Sequence, residues 1–398
     1  MDLRKYQHLV ICLILILTCI FSTACNEERL EDLGEEYVEG SDWQSGFGSG
    51  SLPRIQKAGK GYYFLVSQHL YYYEASMKQA VPVCNKADCS HTDETCNASM
   101  GDGPEINYYD HRFYYIASEN NNAEKWYLYY LSEDGRQREK VAQIATLDPS
   151  DNGVHFEFCV HRGDIYFSVS KGAALKKRKA VVERMSLNGS LDRKEVASIE
   201  GYGAAIENLQ AFGNTLVITG CYADSVDSDF RTHTNFVDIR NGKERKDVLY
   251  DKERDLVMIY KKEDDVFYYD SSKLYRLDMN SNKREEVTKE IKIYAECSFQ
   301  DQYLYSCNWY DCHEKNDYRN YGIDIIDEKG EKTGKIPLEE NMEWEFGDND
   351  YCFAFAYDDG KYMVKQFDKS RLSEKDAEWK DILVLGEDSD GGKENILE

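Results

Sequence analysis

Short apolar and aromatic runs separated by polar turns recur along most of the chain, and residues 264–287 show the unit at its barest. Residues 266–270 form an aromatic-rich run, Ser271, Ser272 and Lys273 turn the chain, and residues 274–279 run back. That second run puts Tyr275, Leu277 and Met279 on one face and Leu274, Arg276 and Asp278 on the other. A second turn at 280–283 leads into residues 284–287. Three short runs joined by two hairpin turns predict a β-meander, since side chains in a strand alternate with period two.

Aligning on the first run of this unit gives seven starts, at Tyr62, Phe113, Ile165, Leu216, Val266, Tyr303 and Tyr351, spaced 51, 52, 51, 50, 37 and 48 residues apart. Each start is followed by a second run, and in several units a turn such as Glu133-Asp134-Gly135 or Asn188-Gly189 leads to a third, as at 140–144 and 194–197. Upstream runs such as 155–160 supply a fourth. A period near 50 with four strands per unit predicts an all-β fold, a single β-propeller of about seven four-stranded blades, with six or eight as alternatives. A lone four-stranded sheet buries too little, so the units must stack and close a ring. A pair of β-sandwiches is the competing arrangement, but it gives no reason for so even a period.

The ends of the chain read differently. Arg4 and Lys5 precede an uncharged run at 9–21, too short to span a bilayer comfortably, and Ser22-Thr23-Ala24 then precede Cys25. This pattern resembles a bacterial lipoprotein signal, with residues 1–24 removed and Cys25 lipidated, although Ser22 stands where an aliphatic residue is usual. Residues 25–51 are acidic and then Gly/Ser-rich, which predicts a disordered tether whose removal leaves thermal unfolding almost unchanged. Residues 387–398 predict a disordered acidic tail. The propeller itself is expected over residues 52–386.

The Tyr-rich units, of which Leu274-Tyr275-Arg276-Leu277-Asp278 is one, resemble bacterial extracytoplasmic β-propeller lipoproteins with TolB-like and YWTD-like repeats. The resemblance covers roughly residues 52–386. It implies the fold and a cell-surface location on the outer face of the cytoplasmic membrane. It leaves the activity open, because propellers host binding modules and enzymes alike.

Charge narrows the partners. The formal net charge is −25, which argues against nucleic acid, because phosphate binding needs a basic face. The one basic cluster, residues 171–179, reads as a loop between two strands.

One compact group of reactive side chains stands out: Cys84, Cys89, His91 and Cys96, spaced C-x4-C-x-H-x4-C within an insertion at 84–98 after the first blade's third run. Three thiolates and an imidazole are the number and type for a tetrahedral Cys3His site, and zinc suits such borderline-soft donors. A disulfide within the set, Cys84–Cys89 or Cys89–Cys96, is the alternative in an exported protein. The motif is similar to one carried at the same place by the lipoproteins just named.

Other constellations are weaker. Cys307 and Cys312 repeat the C-x4-C spacing beside His313, but read as a buried thiol and a loop thiol. Cys159, Cys221 and Cys352 fall on strands as small apolar residues. His155 and His161 flank a strand and read as surface residues. Asp224, Asp227 and Asp229 could offer oxygens to calcium but lack the glycine and final glutamate of an EF-hand loop. No Walker, nucleophile-elbow, zincin or dinucleotide motif occurs. The function expected is a non-catalytic binding or scaffold module for a protein, peptide or glycan, with a carbohydrate- or peptide-acting enzyme at the central channel as the alternative.

Overall fold

The computed structural model describes residues 33–44, 54–119, 122–148, 154–170, 176–251, 259–270, 273–288, 297–300, 303–307, 314, 322–345, 347–374 and 376–386. Residues 1–32, which include the expected signal and Cys25, and also Cys312, His313 and residues 387–398 lie outside them. The chain divides into Met1–Leu33 and Gly34–Glu398, and every described strand belongs to the second part.

Among the described residues twenty-seven strands occur, and within each sheet they pair antiparallel with their sequence neighbours. Blade 1 holds β1 (Ile55–Ala58), β2 (Gly61–Val66), β3 (His69–Tyr73) and β4 (Val81–Pro82). Blade 2 holds β5 (Asn107–Tyr109), β6 (Arg112–Glu119), β7 (Asn122–Ser132) and β8 (Arg138–Thr146). A seven-stranded sheet follows: β9 (His155–His161), β10 (Asp164–Ser170), β11 (Lys177–Ser186), β12 (Lys194–Phe212), β13 (Thr215–Ala223), β14 (Arg231–Asp238) and β15 (Lys243–Asp251). Three more four-stranded sheets complete the order: β16 (Ile259–Lys262), β17 (Asp265–Asp270), β18 (Lys273–Asp278) and β19 (Lys283–Glu286); β20 (Cys297–Gln300), β21 (Tyr303–Cys307), β22 (Ile323–Ile326) and β23 (Lys332–Ile336); β24 (Met342–Glu345), β25 (Tyr351–Asp358), β26 (Lys361–Asp368) and β27 (Lys380–Gly386).

The long strand β12 explains the fused sheet. Its residues 194–202 pair with β11, and residues 202–212 pair with β13, with register shifts near Tyr202 and Ile206. It therefore closes one four-stranded unit and opens the next, and the described strands fall into seven units, numbered here as blades 1 to 7. All seven starts expected from the periodicity lie in the second strand of a blade.

First strands touch first strands around the ring, β1 with β5, β5 with β9, β9 with β12 and β12 with β16, so they line its centre. Two-residue turns join most of them to the second strands. Asp110 and His111 (φ 47° and 60°) and Arg162 and Gly163 (φ 52° and 83°) have the left-handed backbone that such tight hairpins demand. Side chains stitch neighbouring first strands together. Gln56 accepts from the Tyr108 N–H (3.4 Å) and Asn107 from the Val160 N–H (3.1 Å). Glu157 accepts from the Leu209 N–H.

Aromatic runs occur because each blade is buried on both faces, so adjacent residues of one strand serve different neighbours. Tyr63 packs on Phe113 of blade 2 at 4.3 Å, while Tyr62 packs on Phe353 of blade 7 at 4.8 Å. In the same way Leu274 joins the core shared with blades 6 and 7, and Leu277 the core shared with blade 4. The ring closes through one apolar cluster in which Ile55, Phe64 and Tyr73 meet Phe353, Val364 and Ile382. Arg54 adds ion pairs to Glu343 (3.1 Å) and Glu345, and Lys57 one to Asp348 (2.6 Å). No described strand of blade 1 enters the sheet of blade 7.

The expected tether needs correction at its centre. Residues 34–44 are packed, with Asp42, Trp43 and Gln44 buried. They cross the first-to-second-strand turns of several blades. Gly40 O accepts from the Asp110 N–H (3.4 Å) and Ser41 O from the Arg162 N–H (2.7 Å). Gln44 exchanges two bonds with the backbone of Lys57 (2.8 and 2.9 Å), and Glu35 pairs with Lys261 (3.0 Å). The Trp43 ring meets Phe212 edge-on at 6.1 Å. The acidic composition predicted a solvated chain, but the buried Arg162 supplies the countercharge that lets Asp42 enter the fold.

Candidate metal centre

The segment from Cys84 to Ala98 leaves blade 1 after β4 and leads toward β5 of blade 2. Small hydrogen-bonded turns fold it: Cys84 N–H to Pro82 O (2.8 Å), Cys89 N–H to Lys86 O (3.4 Å), Cys96 N–H to Asp93 O (3.1 Å) and Ser99 N–H to Cys96 O (3.2 Å). The Asp93 carboxylate accepts from the Thr95 N–H at 2.8 Å, the usual way an aspartate fixes a turn two residues on. His91 has φ 59°, a left-handed backbone uncommon for a residue with a side chain.

These turns bring the three Sγ atoms and one imidazole nitrogen within 4.8 Å of one another. Among the described residues this is the one group of three or more Cys, His, Asp and Glu side chains close enough to hold a metal ion. A tetrahedral ion with bonds of about 2.3 Å to sulfur and about 2.0 Å to nitrogen sets its donors roughly 3.5–3.8 Å apart. The His91 Nδ1 and Cys96 Sγ already stand 3.5 Å apart, so the donor set fits the ion with small side-chain adjustments. Cys84, Cys89 and Cys96 are not linked to one another by a disulfide in this structure.

The environments of the thiols differ. Cys96 is fully buried, whereas Cys84, Cys89 and His91 are half-buried. Burial pushes the Cys96 thiol up to about 12. Burial acts the same way on Cys84, but N–H groups of Lys86 and Asn97 and the neighbouring thiols of Cys96 and Cys89 outweigh it, and its pKa is lowered. A bound cation reverses such penalties by favouring the thiolates outright.

One half of the insertion is docked independently of any ion. The Arg138 guanidinium donates to the carbonyls of Cys96 (3.0 Å), Ser99 (2.7 Å) and Glu94 (3.1 Å). Asn97 donates to Gly135 O (2.8 Å), and Leu70 N–H to Ala98 O (2.9 Å). Gly135 (φ 70°) lies so close that a Cβ there would stand 2.7 Å from Val83 O and 3.0 Å from the nitrogen of Cys84. The other half, residues 85–93, is largely exposed and bonds mainly within itself, with Lys86 reaching Thr95 O.

The remaining candidates scatter. Cys159, Cys221, Cys297, Cys307 and Cys352 are buried in blade cores, as expected of small apolar residues. Asp224 pairs with Arg231 at 2.8 Å, and the three aspartates at 224, 227 and 229 form no metal group. The basic stretch is not a plain loop: Lys177, Arg178 and Lys179 lie in β11, and the two lysines pair with Glu200 (2.9 Å) and Glu195 (2.6 Å). His161 is not a surface residue. It is fully buried, accepting from the Trp43 N–H at Nδ1 (3.0 Å) and donating from Nε2 to Gly213 O (2.7 Å). Burial lowers its pKa to about 4.

Sequence reasoning also missed two buried acids. Glu105, just before β5, and Glu157 in β9 are buried and act on each other electrostatically. Burial raises both, Glu157 to about 7 despite its 2.5 Å bond to His155. No local pattern marks them: Glu157 is one polar residue of β9, Glu105 precedes β5, and both are lost among 74 acidic residues.

No family model and no curated protein matches the sequence. Solved structures resemble it loosely. The AfRom2 CNH domain gives a TM-score of 0.47 at 10% identity, over 82% of this chain and 97% of that one. The Europium-containing methanol dehydrogenase gives 0.47 at 10% identity, over 91% and 82%. The dipeptidyl peptidase 4 of Porphyromonas gingivalis gives 0.46 at 13% identity, over 86% of this chain and 60% of the enzyme. The fold assignment rests on the strand order described above.

Proposed function

We propose that this chain is a lipid-anchored, seven-bladed extracytoplasmic propeller that acts as a non-catalytic binding or scaffold module. In this reading Cys84, Cys89, His91 and Cys96 hold one zinc ion as a structural clamp between blades 1 and 2. The observation that carries it is the completeness of the donor set. Four protein donors lie within 4.8 Å of one another, and a closed four-ligand shell leaves no position for water or substrate, as in structural zinc sites. Zinc suits thiolate and imidazole donors, and when bound it supplies cross-linking rather than chemistry. Arg138 and Asn97 fix one half of the loop, so the clamp's work is to pin residues 85–93.

Cys25 would carry the lipid, placing the domain on the outer face of the cytoplasmic membrane. Two acyl chains suffice for stable attachment where one is marginal. The partner is a protein, peptide or glycan, and the net charge of −25 disfavours nucleic acid.

Metal content of protein purified without added metal tests the clamp. Near-stoichiometric zinc, lost in His91→Ala, with three thiols titratable after chelation, is the expected result. A metal-free wild type would reject it. Cys25→Ala should leave the membrane fraction, and retention there would reject the anchor. A glycan and protein array then identifies the partner.

The second reading, an enzyme acting on carbohydrate or peptide at the channel, draws on the paired Glu105 and Glu157. Hydrolysis of a glycan or peptide, abolished by Glu157→Gln, would displace the non-catalytic reading.

A further inference from the structure

Metal site and disulfide need not be rival descriptions of this loop. We propose that Cys84 and Cys89 form a thiol–disulfide switch that expels the metal and frees residues 85–93, while Cys96 stays reduced. The inference rests on the metal reading above and adds its regulation.

Exposure separates the three sulfurs. Cys84 and Cys89 are half-buried and Cys96 is fully buried, and exchange requires access of the oxidant to a thiolate. All three sulfurs lie within 4.8 Å, so a pair can join with a small movement once no ion stands between them. The turn closed by the Cys89 N–H on Lys86 O (3.4 Å) folds the intervening residues back.

The oxidant is a small disulfide such as glutathione disulfide, appropriate to an exported protein. The Cys84 thiolate attacks one sulfur of the oxidant; that S–S bond breaks, a Cys84–glutathione mixed disulfide forms, and one glutathione thiolate leaves. Of the two remaining thiols Cys89 is half-buried and Cys96 buried, so Cys89 is the resolving thiol of the proposal. The Cys89 thiolate then attacks Cys84 Sγ, forming the Cys84–Cys89 bond and releasing the second glutathione thiolate. Two electrons pass from the two cysteines to the oxidant, and the released thiolates take protons from water. Only His91 and Cys96 remain as donors, too few to retain the ion, which leaves hydrated.

The structural consequence is confined. Residues 94–99 keep their bonds to Arg138, Gly135 and Leu70. Residues 85–93 lose the cross-link that pins them. Lys86, exposed within that stretch, becomes a reporter, because tryptic cleavage after it requires local opening.

The test uses the zinc-loaded full chain titrated with glutathione disulfide. Zinc release is followed with a chromophoric chelator, the linkage is mapped by mass spectrometry after alkylation, and cleavage after Lys86 is timed. The expected result is one zinc released per Cys84–Cys89 bond, Cys96 alkylated, and cleavage accelerated at least about tenfold, reversed by reductant and zinc. A linkage that includes Cys96 would overturn the proposal. So would zinc retained against excess oxidant, or released with no disulfide. Protein that never held zinc would instead overturn the metal reading, so the two failures are distinct.

Discussion

Asp42→Ala tests how the segment before the propeller is held. The Arg162 guanidinium grips the Asp42 carboxylate with two bonds, Nε to Oδ1 at 2.8 Å and Nη2 to Oδ2 at 3.0 Å, and both side chains are 2% exposed. The same guanidinium donates to Gly34 O (2.8 Å), Glu36 O (3.2 Å) and Asn214 Oδ1 (2.8 Å). Removing Asp42 leaves a buried cation without its anion, a loss of about 3–5 kcal/mol where such pairs have been broken. Against a total stability of about 5–15 kcal/mol, the loss is large but leaves a measurable transition. The assay is urea unfolding followed by far-ultraviolet circular dichroism at low and high salt. Salt should change the difference little, because the pair is buried. Deleting residues 26–44 should cost more still, since Trp43 leaves its contact with Phe212 and burying such a ring is worth about 3 kcal/mol. In a double-mutant cycle with Arg162→Met the two losses should be strongly non-additive. If Asp42→Ala falls within about 1 kcal/mol of wild type, or the deletion is silent, the segment is the passive tether its composition suggests.

Acid should loosen the same contact. His161 has a folded pKa lowered to about 4, below its unfolded value, so the unfolded state binds more protons between roughly pH 6.5 and 4 and stability falls as pH drops through that window. Protonating Nδ1 also removes the acceptor for the Trp43 N–H, so amide exchange at Trp43 should quicken there, and unchanged exchange would contradict the assignment. Glu157 has the opposite sign: its folded pKa of about 7 makes its contribution present below pH 4.5 and lost as pH rises toward 7. Glu157→Gln should therefore flatten the fall in stability between about pH 4.5 and 7, and a slope equal to wild type would refute this. Gly135→Ala should undock the insertion, since a Cβ at φ 70° meets Val83 O at 2.7 Å. Zinc affinity is then expected to drop at least about tenfold by competition with a chelator, while blade stability changes little.

Much of this architecture was legible in one dimension. A repeat near 50 residues located the second strand of every blade, because strand alternation and turn chemistry are local properties that a chain cannot hide. The Cys84, Cys89, His91 and Cys96 set was equally legible, since four ligands within thirteen residues can converge through local turns alone. Tertiary structure decided what depends on distant partners. It fused blades 3 and 4 through β12, which runs unbroken to Phe212 where the pattern gave a short third run at 194–197. It turned acidic residues 34–44 from a spacer into a packed segment, because Asp42 meets Arg162, 120 positions away. It buried His161 between Trp43 and Gly213, and it set Glu105 beside Glu157 across two blades. Composition describes what a residue prefers in water. Only the closed ring determines which charges water no longer reaches.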